Sequence, residues 1–400
     1  MATQNRDLST LRTAFVSQLE AGSANTYPVY RSPQSKSSYV KKIIITNNTA
    51  NIGTFDIGLY ENNFIQGGNV FVAMAQSTTT AASSTDGITW TLRTLPSATN
   101  WYSATYGNGV FVAMGNGTTT AVSSTDGITW TLRTLPASTS WVSATYGNGV
   151  FVAMAQSTTT AVSSTDGITW TLRTLPSAAT WYSETYGNGV FAAASNGTTT
   201  AVSSTDGITW TLRTMPSATS WFPATYGNGV FAAIATNTTT AASSTDGITW
   251  TLRTLPSAVG WGSVAYGNGV FVAVSNNTTT AASSTDGITW TLRTLPALVA
   301  WYSVTYGNGV FAAISNGTTT AASSTDGITW TLRTLPSAAA WYSVTYPQRS
   351  DFSTDNYLYK SVTLAANTTQ SISYEVIVLP THEIRVRSTV PMQVAIMGEA

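Results

Sequence analysis

Twelve residues, SSTDGITWTLRT, recur seven times at an unchanging spacing of 40 residues, first at Ser83 to Thr94 and last at Ser323 to Thr334. A period of this length marks an array in which each unit is one supersecondary element that buries its apolar surface only against its neighbours. Set out from Trp101, one unit reads WYSATYGNGVFVAMGNGTTTAVSSTDGITWTLRTLPASTS, and the next opens at Trp141. It holds four β-rich runs, WYSATY, GVFVAM, TTTAVSS and TWTLRTL, separated by GNG, a short polar turn, DG and a loop opening on proline. Asn-Gly and Asp-Gly accept positive φ and close tight hairpins, so each unit is predicted to be a four-stranded antiparallel meander.

A lone meander cannot cover both of its faces. Units of this length arranged radially do so against one another, which is the logic of a β-propeller blade. The array starts out of phase, at a second strand near Asn69, and ends on an extra first strand, WYSVTY, at Trp341 to Tyr346. That last strand is predicted to complete the first blade and leave no open sheet edge. The expected fold is all-β, with a seven-bladed β-propeller over residues 67–346.

Only 8% of the 400 residues are charged and the formal net charge is zero, which argues against nucleic-acid and anionic-membrane partners. There is no cysteine and one histidine, His382, so no disulfide framework, metal site or cofactor is expected, and His382 reads as an ordinary strand residue. No apolar run reaches the length of a signal peptide or membrane span, so the expectation is a soluble protein made in a cytoplasm.

Outside the array the composition shifts, with ten of the seventeen Lys and Arg lying there. Strand-like runs stand on both sides: TYPVY, YVKKIIITNN and GTFDIGLY upstream, YLYKSVTLA, QSISYEVIVL, EIRVRS and MQVAIMG downstream. Residues 26–66 with 347–400 are therefore expected to form one seven-stranded β-sandwich, with the array threaded between its third and fourth strands. Ahead of it, residues 1–25 are read as an arm or short helix, with Leu8, Leu11, Phe15 and Leu19 near helical spacing, docking on a neighbouring subunit or covering its own domain.

Two resemblances extend this reading. SSTDGITW resembles the Asp-box of sialidase-like and other BNR-repeat propellers, shortened by one residue between Asp and Gly. The resemblance implies a structural turn whose Asp bonds backbone amides and whose Trp wedges between strands. Those roles fall on Asp86, Asp126, Asp166, Asp206, Asp246, Asp286 and Asp326, and on Trp90, Trp130, Trp170, Trp210, Trp250, Trp290 and Trp330. The flanking strands resemble small β-sandwich domains of tailed-phage virion proteins. That implies a domain attaching a displayed module to capsid, neck or tail, contacts with other virion proteins and with copies of itself, and location in the virion.

Catalytic inventory is thin. Sialidase-type hydrolysis requires an arginine cluster, a tyrosine with a glutamate partner and an acidic donor placed asymmetrically, whereas each repeat offers one Asp in a turn and one Arg on its last strand. Glu184 alone breaks the pattern, and one carboxylate cannot supply both acid and base. It is read as a solvated or channel-lining side chain, and the protein as a non-enzyme.

The copies differ in a polarised way. GNG and TDGIT scarcely change, but the turn between second and third strands varies, from AQS to SNN, as does the stretch before each Trp-initiated strand, from SATN to ALVA. In a meander alternate turns emerge at the same end, so both variable loops are expected on one face. Near it lie Trp101, Tyr102, Trp181, Tyr182, Trp221, Phe222, Trp301, Tyr302, Trp341 and Tyr342. Aromatic faces among Ser, Thr and Asn suit sugar stacking. An indole repeated in every blade equally suits packing between blades, so the residues after Trp are the stronger candidates. The expected function is a phage virion protein bearing an adhesive, receptor-binding module for host-surface glycans. The rivals are a non-binding decoration or spacer and, third, a glycan hydrolase using Glu184.

Overall fold

The computed structural model describes residues 11–16, 27–31, 38–47, 53–61, 70–347, 357–364, 368–378, 382–388 and 393–399. The chain divides into two compact units, Met1–Phe64 with Ser350–Ala400, and Ile65–Arg349. No helix occurs among the described residues.

The described residues of the discontinuous unit form eight strands, in chain order Leu11–Val16, Tyr27–Arg31, Ser38–Asn47, Gly53–Glu61, Tyr357–Leu364, Thr368–Val378, His382–Ser388 and Gln393–Glu399. They build two four-stranded antiparallel sheets, in the orders first-eighth-third-sixth and second-seventh-fourth-fifth. The helix expected around Leu11 and Phe15 is replaced by the first of these strands, which pairs from Leu11 opposite Glu399 to Val16 opposite Val394. The same residues that approximate a helical stripe also alternate as Leu11, Thr13 and Phe15. A ladder to the last strand then decides between two weak local patterns. Leu8 and Leu19 lie outside the described residues. Among the described residues the unit thus shows eight strands where seven were expected, and the array interrupts it between the fourth and fifth.

The second unit is a closed ring of seven blades. Blade 2 shows the pattern: an inner strand from Trp101 to Gly107, then Val110–Asn116, Thr118–Ser124 and an outer strand Thr131–Thr139. Blade 1 is assembled from both ends of the array. The last strand, Thr331–Thr345, lays Trp341 opposite Ala75, Ser343 opposite Met74 and Thr345 opposite Val72 on Phe71–Ala75, as the phase offset requires.

Each seam between blades is apolar. Between blades 2 and 3, Val112, Met114 and Leu135 meet Trp141, Phe151, Val162 and Trp170. The closing seam matches it, with Ile314 and Leu335 of blade 7 against Trp341, Phe71 and Trp90 of blade 1. Each fully buried Phe or aliphatic side chain contributes about 1.5–3 kcal/mol relative to exposure. Packing of this kind explains why Trp and Phe recur without change.

Near the axis a girdle of side chains ties successive inner strands. The amide N–H groups of Ala104, Ala144, Glu184, Ala224, Val304 and Val344 donate to the hydroxyls of Ser343, Ser103, Ser143, Ser183, Ser263 and Ser303, at 3.0 to 3.2 Å. The seventh tie, between blades 5 and 6, is missing because Pro223 stands where every other copy has serine.

Candidate functional site

The invariant turns perform architecture. In blade 1, Asp86 Oδ1 accepts the N–H groups of Ile88 and Thr89 at 2.8 and 2.7 Å and the Ser84 hydroxyl at 2.8 Å, while the Gly87 N–H donates to Ser84 Oγ at 2.9 Å. Gly87 adopts φ +69°, which glycine alone takes without cost. The same carboxylate clamp forms at Asp126, Asp166, Asp206, Asp246, Asp286 and Asp326. Burial raises these carboxyls, but the two amides and the hydroxyl outweigh it and hold them below the usual range, Asp246 at about 2. The Trp that follows packs on the Phe of its own blade, with Phe71 to Trp90 centroids 6.2 Å apart. Trp90, Trp130, Trp170, Trp210, Trp290 and Trp330 are buried and Trp250 is half-buried.

The other invariant turn, GNG, staples blade to blade. Asn108, Asn148, Asn188, Asn228, Asn268 and Asn308 take left-handed φ and donate Nδ2 to carbonyls of the next blade's Asp turn, at Thr165, Thr205, Thr245, Thr285, Thr325 and Thr85. Both invariant turns thus share one face of the disc. Blade 1 has no such turn, because there the chain enters at Val70 and leaves after Tyr346. Gly147, just before its Asn, lies flush on the next blade, where a Cβ would sit 2.0 Å from the Tyr186 ring.

The variable loops share the opposite face. Amides of the turn between second and third strands bond carbonyls of the stretches that run from outer to inner strands, as in Gln76 N–H to Ala340 O at 2.9 Å and Ser77 N–H to Thr99 O at 3.0 Å. The inner strands carry one irregularity here. In every blade the register slips just after the Trp: Trp141 faces Ala155, but Ser143 already faces Met154, leaving Val142 as the extra residue of a β-bulge. A bulge bends the strand and re-aims the side chain it adds.

That device brings the residues after Trp together. Tyr102 meets Tyr342 edge-on with centroids 4.5 Å apart, Tyr302 meets Tyr342 at 5.1 Å, and Tyr182 meets Phe222 at 5.4 Å. Burial first, then the proximity of Tyr102, Tyr302 and Tyr182, pushes the Tyr342 hydroxyl far above its ordinary value. Tyr182 and Phe222, on blades 4 and 5, form a second aromatic pair. Gln156 donates Nε2 to the Tyr182 hydroxyl at 2.6 Å.

The indoles do not join them. Trp101, Trp181, Trp301 and Trp341 are 0% exposed and Trp221 is 1% exposed, which corrects their expected place in a ligand-facing ring. Each is packed into a seam, and five of the seven inner-strand indoles donate Nε1 to a carbonyl four residues back, as Trp301 does to Ala297 at 3.1 Å.

A family model described as the DUF6242 beta propeller domain matches residues 60–179. Among solved structures, streptogramin B lyase superposes with a TM-score of 0.56 at 12% identity, covering 84% of this chain and 98% of its own. Virginiamycin B lyase from Staphylococcus aureus gives 0.56 at 14% identity, covering 65% and 96%. YCF48 bound to D1 peptide gives 0.50 at 16%, covering 71% and 94%. The repeat array is a β-propeller. A search of curated proteins finds no match.

Glu184 occupies a place in this propeller that its sequence context did not reveal. Its register equivalents Val264, Val304 and Val344 pack into the seam with the preceding blade, and Glu184 takes the same position between blades 3 and 4. It is 7% exposed, so it is not the solvated side chain expected. Burial lifts its carboxyl well above the ordinary carboxylate range, the nearby Thr145 amide opposing only weakly, and neither oxygen has a well-formed hydrogen bond. Among the described residues no three His, Cys, Asp or Glu gather into a metal-binding group.

Proposed function

We propose that this chain is a phage virion protein whose propeller binds host-surface glycans through the centre of its variable face. The observation that carries this reading is the pairing of Tyr342 with Tyr102 and Tyr302, and of Tyr182 with Phe222, at a bulge repeated in every blade on the face where the copies also differ. Half-buried aromatic faces, one of them hydrogen-bonded by Gln156, match the amphipathic character of a sugar. The chain leaves the propeller from the other face, at Val70 and Tyr346, which keeps its connections away from the cluster. The strand orders of the terminal unit are those of a two-sheet jelly roll, an architecture used by viral capsid and lectin domains, and this supports an anchoring role. Several copies on one particle would turn weak single contacts into avid attachment.

We read the propeller as non-catalytic. A histidine-to-alanine variant of virginiamycin B lyase is described as catalytically inactive, and this propeller contains no histidine. Glu184 stands alone and buried.

The test is a glycan array probed with the full chain and with Tyr342→Ala. Signal on host polysaccharides that the variant loses is the expected result. Silence on every host polysaccharide overturns the reading and favours a spacer, for which the packing of Tyr342 between Tyr102 and Tyr302 would serve only to close the central channel.

A further inference from the structure

The seven seams are not equally filled. At the register of Met74 the second strands carry Met114, Met154, Ile234, Val274 and Ile314, all 0% exposed and each reaching into the seam with the next blade. Blade 4 has Ala194 there, and it is 7% exposed. One methyl stands where every other blade supplies a Val, Ile or Met side chain, and the neighbours have not closed over it. Large-to-small differences of this kind in a core are only partly taken up by relaxation.

Other contacts of the same seam thin out with it. Ala192 is also small, where blades 1, 2, 3 and 6 have Val72, Val112, Val152 and Val272. Met215, a more pliable side chain, replaces the leucine of the other six outer strands. Across the seam, Phe231 stands outside the apolar cluster, whereas its equivalent Phe151 belongs to the one between blades 2 and 3. Trp250, which faces this seam, is half-buried while its six equivalents are buried. On the variable face Asn116 and Asn316 donate Nδ2 to Trp141 O and Trp341 O of the following blade, at 3.0 and 3.2 Å, but Asn196 makes no equivalent bond to Trp221.

Two polar ties still cross it. The Ala224 N–H donates to Ser183 Oγ at 3.0 Å near the axis, and Asn188 Nδ2 donates to Thr245 O at 3.4 Å on the invariant face. The chain itself also crosses, since Thr211–Gly227 runs from the outer edge of blade 4 to the inner edge of blade 5. Parting the blades here releases those ties and little apolar contact. The same movement at the closing seam would uncover Ile314, Leu335, Trp341, Phe71 and Trp90.

We propose that the ring opens reversibly at the seam between blades 4 and 5, ahead of the other six, with Thr211–Gly227 as the hinge and the closure at blade 1 left intact. Local openings draw on the least packed contacts of a fold. Tyr182 and Phe222, with ring centroids 5.4 Å apart, sit on the two blades that part. The opening therefore separates that pair and leaves Tyr342 with Tyr102 and Tyr302. It does not depend on what the variable face binds.

Thiol trapping tests this, because the chain has no cysteine of its own. Ala233 and Ala153 hold the same register in blades 5 and 3, each buried in the seam with the preceding blade. In the full chain, Ala233→Cys should react with a maleimide about tenfold faster or more than Ala153→Cys, and adding Ala194→Met should bring the first rate down to the second. Residue-resolved hydrogen exchange reads the same opening in the unsubstituted chain. There the Ala224 amide should exchange about tenfold faster or more than the Ala144 amide, which makes the equivalent tie to Ser103. Equal rates at the two seams overturn the opening point. So does an Ala194→Met chain that melts below wild type, since that would show the seam already full.

Discussion

Replacing Glu184 with valine, the residue that blades 1, 6 and 7 carry at this register, should stabilise the propeller by an amount that depends on pH. Two buried oxygens without well-formed hydrogen bonds set the scale, since an unsatisfied buried polar group costs about 1–3 kcal/mol. For a unit of this size that corresponds to a few degrees and up to roughly 10 °C in melting temperature. Burial raises the folded carboxyl above its unfolded value of 4.5, so below that pH both states are protonated and stability is greatest. As pH rises the unfolded chain ionises first, and stability is lost until the raised folded value is reached. Circular-dichroism melts at pH 4.5, 6 and 8 should therefore show Glu184→Val melting above wild type, with a difference that widens with pH. Glu184→Gln, which cannot ionise but stays polar, should give a flat and intermediate profile. A difference that stays constant across pH, or a wild type as stable as Glu184→Val at pH 8, would show that the carboxylate is solvated or paired and refute the argument.

Other substitutions probe the repeated devices. Asp246→Ala removes a clamp on two amides and should cost about 1 kcal/mol in urea titration, as loss of a comparable helix cap does. Because the turn carboxyls are held low, Asp246 at about 2, their contribution should persist above pH 4 and fade only as pH drops through that value. Pro223→Ser should supply the missing tie to Val264 and raise stability by about 1 kcal/mol, measured by the same titration. Gly147→Ala, whose Cβ would meet the Tyr186 ring at 2.0 Å, should cost about 1–3 kcal/mol or more through overpacking. Gly149→Ala has open space and should lose only about 1 kcal/mol, from φ +77° alone.

Much of the propeller was legible because its local signals agree. Asn108 and Gly87 take the positive φ that GNG and DG announce, and the phase offset of the array anticipates Trp341 lying beside Ala75. What escaped is set by geometry with no composition signature. The bulge after each Trp leaves no mark in WYSATY, yet it sends Tyr102 to the axis while Trp101 stays in the seam. Glu184 looked like a surface residue because a single acid among Ser and Thr reads that way, and only the register of its valine equivalents reveals a buried position. The first strand was missed because Leu11 and Phe15 fit two periods at once, and its partner lies nearly 400 residues away, at Gln393–Glu399.

Closure by the final strand also constrains how the ring is made. Phe71–Ala75 is synthesised early, but the strand that covers its edge is finished only at Thr345, roughly 270 residues and about 10–60 s of translation later. Six blades arrive with their own innermost strand, so this edge is the one vacancy in the ring. Since every copy presents nearly the same pairing surface, the late strand of a second nascent chain would fit the vacancy as well as its own. Crowded synthesis of this protein would then favour interlocked oligomers, and dilution the closed monomer.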